Sequence, residues 1–184
     1  VVEFRGEYYM FVTRSHGYWH SKDLLNWDFI TPGKNWYPQG SNAPAVHNYK
    51  DSVLYVMGDP SGSMSVLYTD DPKSGNWNAT PAILHDLQDP DLFIDDDGQA
   101  YLFWGQANAK GAKLSKDMLS IEGEVHEKLL TYKEHAFNEG SSVRKRNGIY
   151  YYVYAGHQRH GESNCATLNY ATATSPLGPY TSVS

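Results

Sequence analysis

The sequence predicts an all-β chain arranged as a β-propeller. A pair of short apolar runs around a tight turn recurs four times, and the turns at Gly6, Asp51, Gly98 and Gly148 lie 45, 47 and 50 residues apart. A self-similar β unit at that period is typical of a propeller, with one repeat per blade. Fifteen Tyr, six Phe and five Trp favour strands, while sixteen Gly and nine Pro supply turns.

Each repeat begins with a β-hairpin. The third is the clearest, because the apolar runs 92–94 and 100–104 flank the Asp-rich turn 95–98, in which Gly98 is expected to have φ > 0. The four hairpins are predicted over residues 1–13, 45–58, 89–105 and 142–156.

A third strand, ending in a Ser, Thr or Asp turn, follows each hairpin. These segments cover residues 18–24, 66–72, 112–118 and 169–173. Together with a fourth outer strand they complete a blade, and no linker divides the chain, so residues 1–184 are predicted to form a single β-propeller domain. The alternative is a β-sandwich with regular turns, which the hairpin repeat disfavours.

Charge and composition narrow the classes of partner. A formal charge of −6 argues against a nucleic-acid binder, and the basic run 144–146 lies beside a hairpin turn, where a solvated turn is the expected reading. No apolar stretch approaches the ~20 residues of a membrane span. The sequence shows no signal peptide, but it opens within a predicted strand, so the native start of the protein is expected to lie upstream. The only cysteine, Cys165, excludes an internal disulfide and leaves the compartment open.

Polar residues recur nine positions before the turns of the last three units: Asn42, Asp89 and Glu139. In a propeller the first strand of each blade lines the central channel, so these positions converge. Two convergent carboxylates suit acid-catalysed glycoside hydrolysis. The alternative is that Asp89 before Pro90 starts an ordinary turn and that Glu139 lies in a plain loop. Spacing alone leaves the two interpretations about even.

The segments around the two carboxylates resemble glycoside hydrolase family 43. The resemblance is carried by LQDPDLF at 87–93 with DDDG at 95–98, and by EGS at 139–141 with KRNGIYY at 145–151. Further similar pieces are NAPA at 42–45, SKDLLNW at 21–27 and SPLGPY at 175–180. The resemblance covers essentially the whole chain.

This resemblance implies a five-bladed β-propeller, of which the chain would supply about four blades. It implies inverting hydrolysis of arabinofuranosyl or xylosyl linkages in plant polysaccharides or oligosaccharides, and less often of galactosides. Glu139 would be the general acid, and Asp89 the carboxylate that raises the pKa of the acid and orients it. No cofactor is required, although a structural calcium or other cation in the channel of the full-length protein is compatible with the family. The alternative function is a non-catalytic carbohydrate-binding or scaffold propeller.

The sequence also departs from the family pattern. The family's general base, an aspartate opening the first blade, falls three or four places before Val1, and the fifth blade with its histidine cannot be assigned. The chain as given is therefore expected to be an internal piece of a longer enzyme and inactive, or nearly so, by itself. The oligomeric state is left open, and an extracellular or periplasmic location is slightly favoured over a cytoplasmic one.

Substrate contacts are predicted at residues near the channel ends: Trp36, Asn42, Trp104, Phe137 and His157. Burial between blades is the alternative for Trp104. Tyr37, Arg159 and His160 are neighbouring candidates. The Asp run 95–97 lacks the alternating spacing of an EF-hand, so a solvated turn is preferred to a calcium site. His85 and His135 are expected to be loop residues, and no metal site is predicted.

Overall fold

The computed structural model describes residues 1–33, 35–36, 42–59, 63–80, 84–85, 87–157 and 166–183. The chain divides into two compact units, Val1–Leu87 and Gln88–Ser184, and each is described by itself. None of the helices in the described ranges is long and apolar enough to cross a membrane. Whether the whole chain is a single domain stays a prediction.

The first unit contains two four-stranded antiparallel sheets and one small ribbon. The first sheet has the order β1 (Val2–Phe4), β2 (Glu7–Phe11), β3 (Tyr18–Ser21), β4 (Asp28–Ile30). The second has the order β5 (Asn42–Tyr49), β6 (Val53–Asp59), β8 (Leu67–Thr69), β9 (Asn78–Ala79). The ribbon pairs β7 (Ser63–Met64) with β10 (Leu84–His85), and a 3₁₀ turn covers Pro72–Ser74.

The second unit contains two further four-stranded antiparallel sheets. One has the order β11 (Asp91–Ile94), β12 (Ala100–Trp104), β13 (Asn108–Leu114), β14 (Ile121–Thr131). The other has the order β15 (Phe137–Arg146), β16 (Ile149–His157), β17 (Ala166–Ala173), β18 (Thr181–Ser182). A four-residue helix, α1 (Tyr132–His135), joins the two sheets. All four large sheets follow chain order, so the hairpin-plus-two-strands repeat is confirmed.

The predicted turns are present, and their backbone angles explain the residues found there. Arg5 and Gly6 have φ of 53° and 77°, and Asn147 and Gly148 have φ of 50° and 78°. Two consecutive residues with positive φ form the hairpin turn whose twist matches that of the flanking strands. Gly98 has φ of 86°, as predicted.

The turn after the third strand is built in the same way in the first and third sheets. Ser21 Oγ donates to Asp23 Oδ1 at 3.1 Å, and Ser115 Oγ donates to Asp117 Oδ1 at 2.6 Å. Each aspartate also accepts backbone N–H groups from the residues after it. This is the local hydrogen bonding that makes Ser and Asp good turn residues.

Aromatic side chains fill the core of each unit. In the first, Tyr18 is fully buried and stacks on Phe11, with ring centroids 4.9 Å apart. Its hydroxyl donates to the carbonyl of Pro72 at 2.5 Å and accepts from Trp77 Nε1 at 3.1 Å, so its polar atom is satisfied. In the second unit the rings of Phe103 and Tyr152 pack edge to face at 5.6 Å.

The Asp run and the basic run lie at hairpin turns with Asp96, Asp97, Arg144 and Arg146 exposed, as predicted. Asp95 and Lys145 depart from that prediction, because both are largely buried and paired with each other. Lys145 Nζ contacts Asp95 Oδ1 at 2.6 Å and Asp96 Oδ2 at 2.8 Å, and the Tyr150 hydroxyl donates to Asp95. Burial would raise the pKa of Asp95, but the hydrogen bonds from Lys145 and Tyr150 outweigh it and lower this pKa. These contacts connect the β11–β12 turn to the β15–β16 hairpin.

Replacing Tyr150 with phenylalanine tests the contribution of its hydrogen bond to Asp95. Tyr150→Phe removes one donor from a charged acceptor, so we expect a loss of about 1–2 kcal/mol in the free energy of unfolding, measured in urea. Tyr151→Phe is the matched control, because its ring packs against Tyr170 on the other face of the strand. It should cost less than about 0.5 kcal/mol. Equal losses in the two variants would show that the bond to Asp95 contributes nothing.

Candidate active site

Glu139 lies on β15 at an irregularity in the strand. It pairs with Ala155 of β16, and the register shifts both before it and after it. The next residue, Gly140, has φ of 76°, and a Cβ added there would lie 3.6 Å from its nearest neighbours. The glycine is therefore needed for its backbone angle rather than for space. A bulge of this kind re-aims the side chain beside it.

A residue that the sequence reasoning missed holds the carboxylate of Glu139. Gln88 Nε2 donates to Glu139 Oε2 at 2.9 Å, and the carbonyl of Gln88 accepts from Gly105 N at 2.9 Å. The main chain of Gln88 is thus held by Gly105, while its side-chain amide contacts the carboxylate of Glu139. Its position directly before the predicted Asp89 was the only sequence signal for this role.

Asp89 stands between Gln88 and the start of β11. Its φ is 46°, a left-handed conformation that non-glycine residues adopt infrequently, and Pro90 follows it in a buried position. Asp89 is therefore one residue away from the amide that contacts Glu139. The structure brings the segments of the two predicted carboxylates together, and the division of roles between them stays a prediction.

A third carboxylate near the site, Asp91, was not predicted from the sequence. Its side chain is buried on β11, and Asp91 Oδ2 accepts from Val143 N at 2.6 Å and lies 3.1 Å from Arg144 Nη1. Burial raises its pKa to about 6, against the opposing effects of Arg144 and the Val143 N–H. Asp91 thereby ties the strand after Asp89 to the strand that carries Glu139.

Two of the predicted sugar contacts are wrong because their side chains are buried. Phe137 is 0% exposed and Trp104 is 2% exposed. The ring of Phe137 packs against Tyr152 at 6.2 Å and Tyr154 at 5.5 Å. A ring covered on both faces has no surface on which a sugar could stack, so these two residues are core residues.

The other predicted contacts keep their status as predictions. Asn42 begins β5, and its Oδ1 accepts from Arg14 Nε at 3.1 Å. Trp36 packs between Phe11 and Trp77, and in the part of the chain that the structure describes its buried Nε1 has no hydrogen-bond partner. His157 ends β16. Tyr37, Arg159, His160 and Cys165 lie outside the described residues, as does the side chain of His85.

A cation in the channel was left open by the family resemblance. Within the ranges that the structure covers, no group of three or more His, Cys, Asp or Glu residues is arranged to hold a metal ion. A cation in the channel of the full-length protein therefore stays a prediction, and no catalytic step is assigned to one.

Comparison with known proteins decides the family. The sequence matches the family model described as "Glycosyl hydrolases family 43" over residues 1–184. The chain belongs to glycosyl hydrolase family 43. Its fold is similar to that of an α-L-arabinofuranosidase from Clostridium thermocellum, with a TM-score of 0.76 and 22% identity over 99% of this chain and 70% of that chain. The four large sheets are thus blades of a β-propeller.

Curated family 43 relatives show the same similarity in sequence. An arabinoxylan arabinofuranohydrolase of Bacillus subtilis is 31% identical over 180 residues, covering 81% of this chain and 34% of the relative. A β-D-galactofuranosidase of Aspergillus niger is 27% identical over 217 residues, covering 97% and 61%. A xylan 1,3-β-xylosidase of a Vibrio species is 26% identical over 164 residues, covering 74% and 30%. The chain spans between about a third and three fifths of their lengths.

Proposed function

We propose that the protein containing this family 43 chain is an inverting glycoside hydrolase that acts on arabinofuranosyl or xylosyl linkages of plant polysaccharides. The observation that supports this most is the placement of Glu139 at a strand bulge with its carboxylate oriented by Gln88. The names of the relatives, arabinoxylan arabinofuranohydrolase and xylan 1,3-β-xylosidase, favour a pentose substrate.

The proposed reaction uses Glu139 as the general acid. Its proton passes to the glycosidic oxygen as the bond to the anomeric carbon breaks, while a water activated by a general base attacks the opposite face of that carbon. Base and acid would stand roughly 6.5–9.5 Å apart to admit the water. Gln88 holds the carboxylate of Glu139 in position. Asp89, the residue after Gln88, is proposed to orient the acid and to supply a negative charge near it. No residue of this chain is assigned as the base.

Hydrolysis of nitrophenyl glycosides tests this proposal. The full-length protein is expected to hydrolyse a nitrophenyl α-L-arabinofuranoside or β-D-xyloside and to release the sugar with inverted anomeric configuration, which proton NMR detects in the first minutes. Release with retained configuration would contradict the inverting mechanism. Binding of arabinoxylan oligosaccharides without hydrolysis of any substrate would favour the second candidate, a carbohydrate-binding propeller.

Asp89→Asn tests the role proposed for the second carboxylate. The change deletes a negative charge but keeps a side chain of similar size, so the acid should lose its proton at lower pH. The alkaline limb of kcat/KM plotted against pH is expected to move to lower pH, with a smaller movement of the acidic limb. Asp97→Asn, on the exposed part of the same hairpin, is the control and should leave both limbs in place. An alkaline limb that stays in place or moves upward in Asp89→Asn would leave Asp89 as a turn residue only.

A further inference from the structure

Tyr132 presents an exposed aromatic ring on the short helix that precedes the strand of the candidate acid. The side chain is 53% exposed, although it belongs to the short helix α1 between two strands of the second unit. An aromatic ring left in water keeps a large apolar surface that a ligand could cover. None of the contacts assigned above uses this ring.

The backbone beneath the ring of Tyr132 is held on several sides. Thr131 caps α1, with its Oγ1 accepting from Glu134 N at 3.1 Å. Tyr132 N donates to the carbonyl of Ala107 at 2.7 Å, and the carbonyl of Tyr132 accepts from Ala136 N at 3.0 Å. The ring is therefore presented from a fixed position, which limits the entropy that a ligand must remove on binding.

The same hydrogen bonds tie Tyr132 to the segment of the acid. Ala107, which accepts from Tyr132, donates its own N–H to the carbonyl of Asn138 at 2.8 Å. Asn138 directly precedes Glu139. One residue of the β12–β13 loop thus connects α1 to the backbone next to the acid.

His157, which is half-buried, lies next to Tyr132. Its ring stands against that of Tyr132, with centroids 6.1 Å apart and an interplanar angle of 63°. His157 is two residues beyond Ala155, the residue that pairs with Glu139 across the hairpin. Tyr132, His157 and the acid therefore lie toward the same end of the β15–β16 hairpin, opposite its turn.

We propose that Tyr132 and His157 form a binding surface for a sugar unit on the leaving-group side of the bond that Glu139 protonates. The inference rests on the proposed function, because only a glycosidase has a leaving group there. The face of the Tyr132 ring suits the C–H groups of a pyranose, and the imidazole of His157 can hydrogen-bond to a hydroxyl. The ligand class is the backbone pyranose of a branched polysaccharide, whose branch carries the bond to be cleaved.

Kinetics on long and short leaving groups test the surface. In the full-length protein, Tyr132→Ala should raise KM for an arabinose-substituted xylotetraose about tenfold with kcat changed less than about twofold, since binding on the leaving-group side is lost. Its kcat/KM on a nitrophenyl arabinofuranoside, which lacks that sugar, should stay within about twofold. Tyr132→Phe keeps the ring and should retain the KM of the unaltered protein. Equal losses on both substrates, or no change on either, would overturn the proposal.

Tyr170→Ala is the matched control. Tyr170 is 41% exposed on β17 of the same unit, where it pairs with Val153 in the middle of the strand. Truncating it removes a similar exposed ring that is not part of the proposed surface, and KM for the oligosaccharide should not change. A rise equal to that of Tyr132→Ala would assign the effect to general damage and overturn the proposal.

Binding without turnover separates this inference from the proposed function. In a Glu139→Gln background, calorimetric titration with the same substituted xylotetraose should show an affinity about tenfold weaker when Tyr132→Ala is added. If the protein hydrolyses no glycoside but this loss of affinity is seen, the proposed function fails and the sugar-binding surface stands. Equal affinities, or no binding by either form, would overturn the surface.

Discussion

Glu139→Gln should abolish most of the hydrolysis of natural linkages by the full-length protein while sparing part of its activity on activated substrates. The amide keeps the shape of the side chain but cannot donate a proton to the leaving oxygen. A general acid contributes about 10²–10⁴ in rate, and less when the leaving group is already a weak base. We therefore expect a loss of that size in kcat on arabinoxylan oligosaccharides and a markedly smaller loss on a nitrophenyl arabinofuranoside.

The control for this variant is Glu124→Gln. Glu124 lies exposed on β14, where its Oε1 is 3.8 Å from Nε2 of His126. The change should leave both activities within about twofold of the unaltered protein. Losses of equal size on natural and activated substrates in Glu139→Gln would argue against a proton donor, and unchanged activity on both would remove Glu139 from the site.

Asp91→Asn should make the stability of the protein respond differently to pH. The pKa of Asp91 is raised from 3.8 to about 6, chiefly by burial. A carboxyl group with a raised pKa stabilises the fold while it is protonated, completely below pH 3.8, and this contribution is lost as the pH rises through about 6. Asparagine cannot ionise, so the variant does not lose stability in this way as the pH rises. The free energy of unfolding of Asp91→Asn, relative to the unaltered protein, should therefore rise by about 2 kcal/mol between pH 4.5 and 7.5.

The pH dependence is a cleaner measurement than the absolute stability. The amide of Asp91→Asn presents a donor towards Arg144, so the variant carries a constant offset that cancels between two pH values. Asp117→Asn is the control, because hydrogen bonds from Ser115 and the Leu119 N–H lower the pKa of Asp117 and keep it ionised across this range. Urea unfolding of both variants should show a sloping difference for Asp91 and a flat one for Asp117. A flat difference for Asp91→Asn would show that its carboxyl is not desolvated in the fold.

Local signals in the sequence determined the blades and the family. A hairpin turn depends on the few residues within it, so Gly6, Gly98 and Gly148 marked the turns without any knowledge of distant parts of the chain. The Ser-Asp turns after the third strands are local in the same sense. Because the repeat period brings equivalent positions together, counting back from the turns also reached Asp89 and Glu139.

Burial in the second unit could not be predicted in the same way. Alternation along a strand separates a buried face from an exposed one only when one face of the sheet is in contact with water. In β12 all residues except Tyr101 are buried, so both faces are covered. Trp104 at its end therefore looks like a pocket residue in the sequence but packs in the core, and Phe137 does the same at the start of β15.

Only the tertiary structure decided which polar groups meet. The amide of Gln88 on Glu139, the carboxylate of Asp91 on Val143 N and the ammonium of Lys145 on Asp95 each join residues 50 to 52 positions apart, on neighbouring blades. The repeat predicts that such segments are neighbours, but hydrogen bonds form only within about 3 Å and in favourable directions. A shift of one residue in either strand would turn each side chain to the other face. Those distances depend on the packing of one blade against the next, which the sequence by itself did not specify.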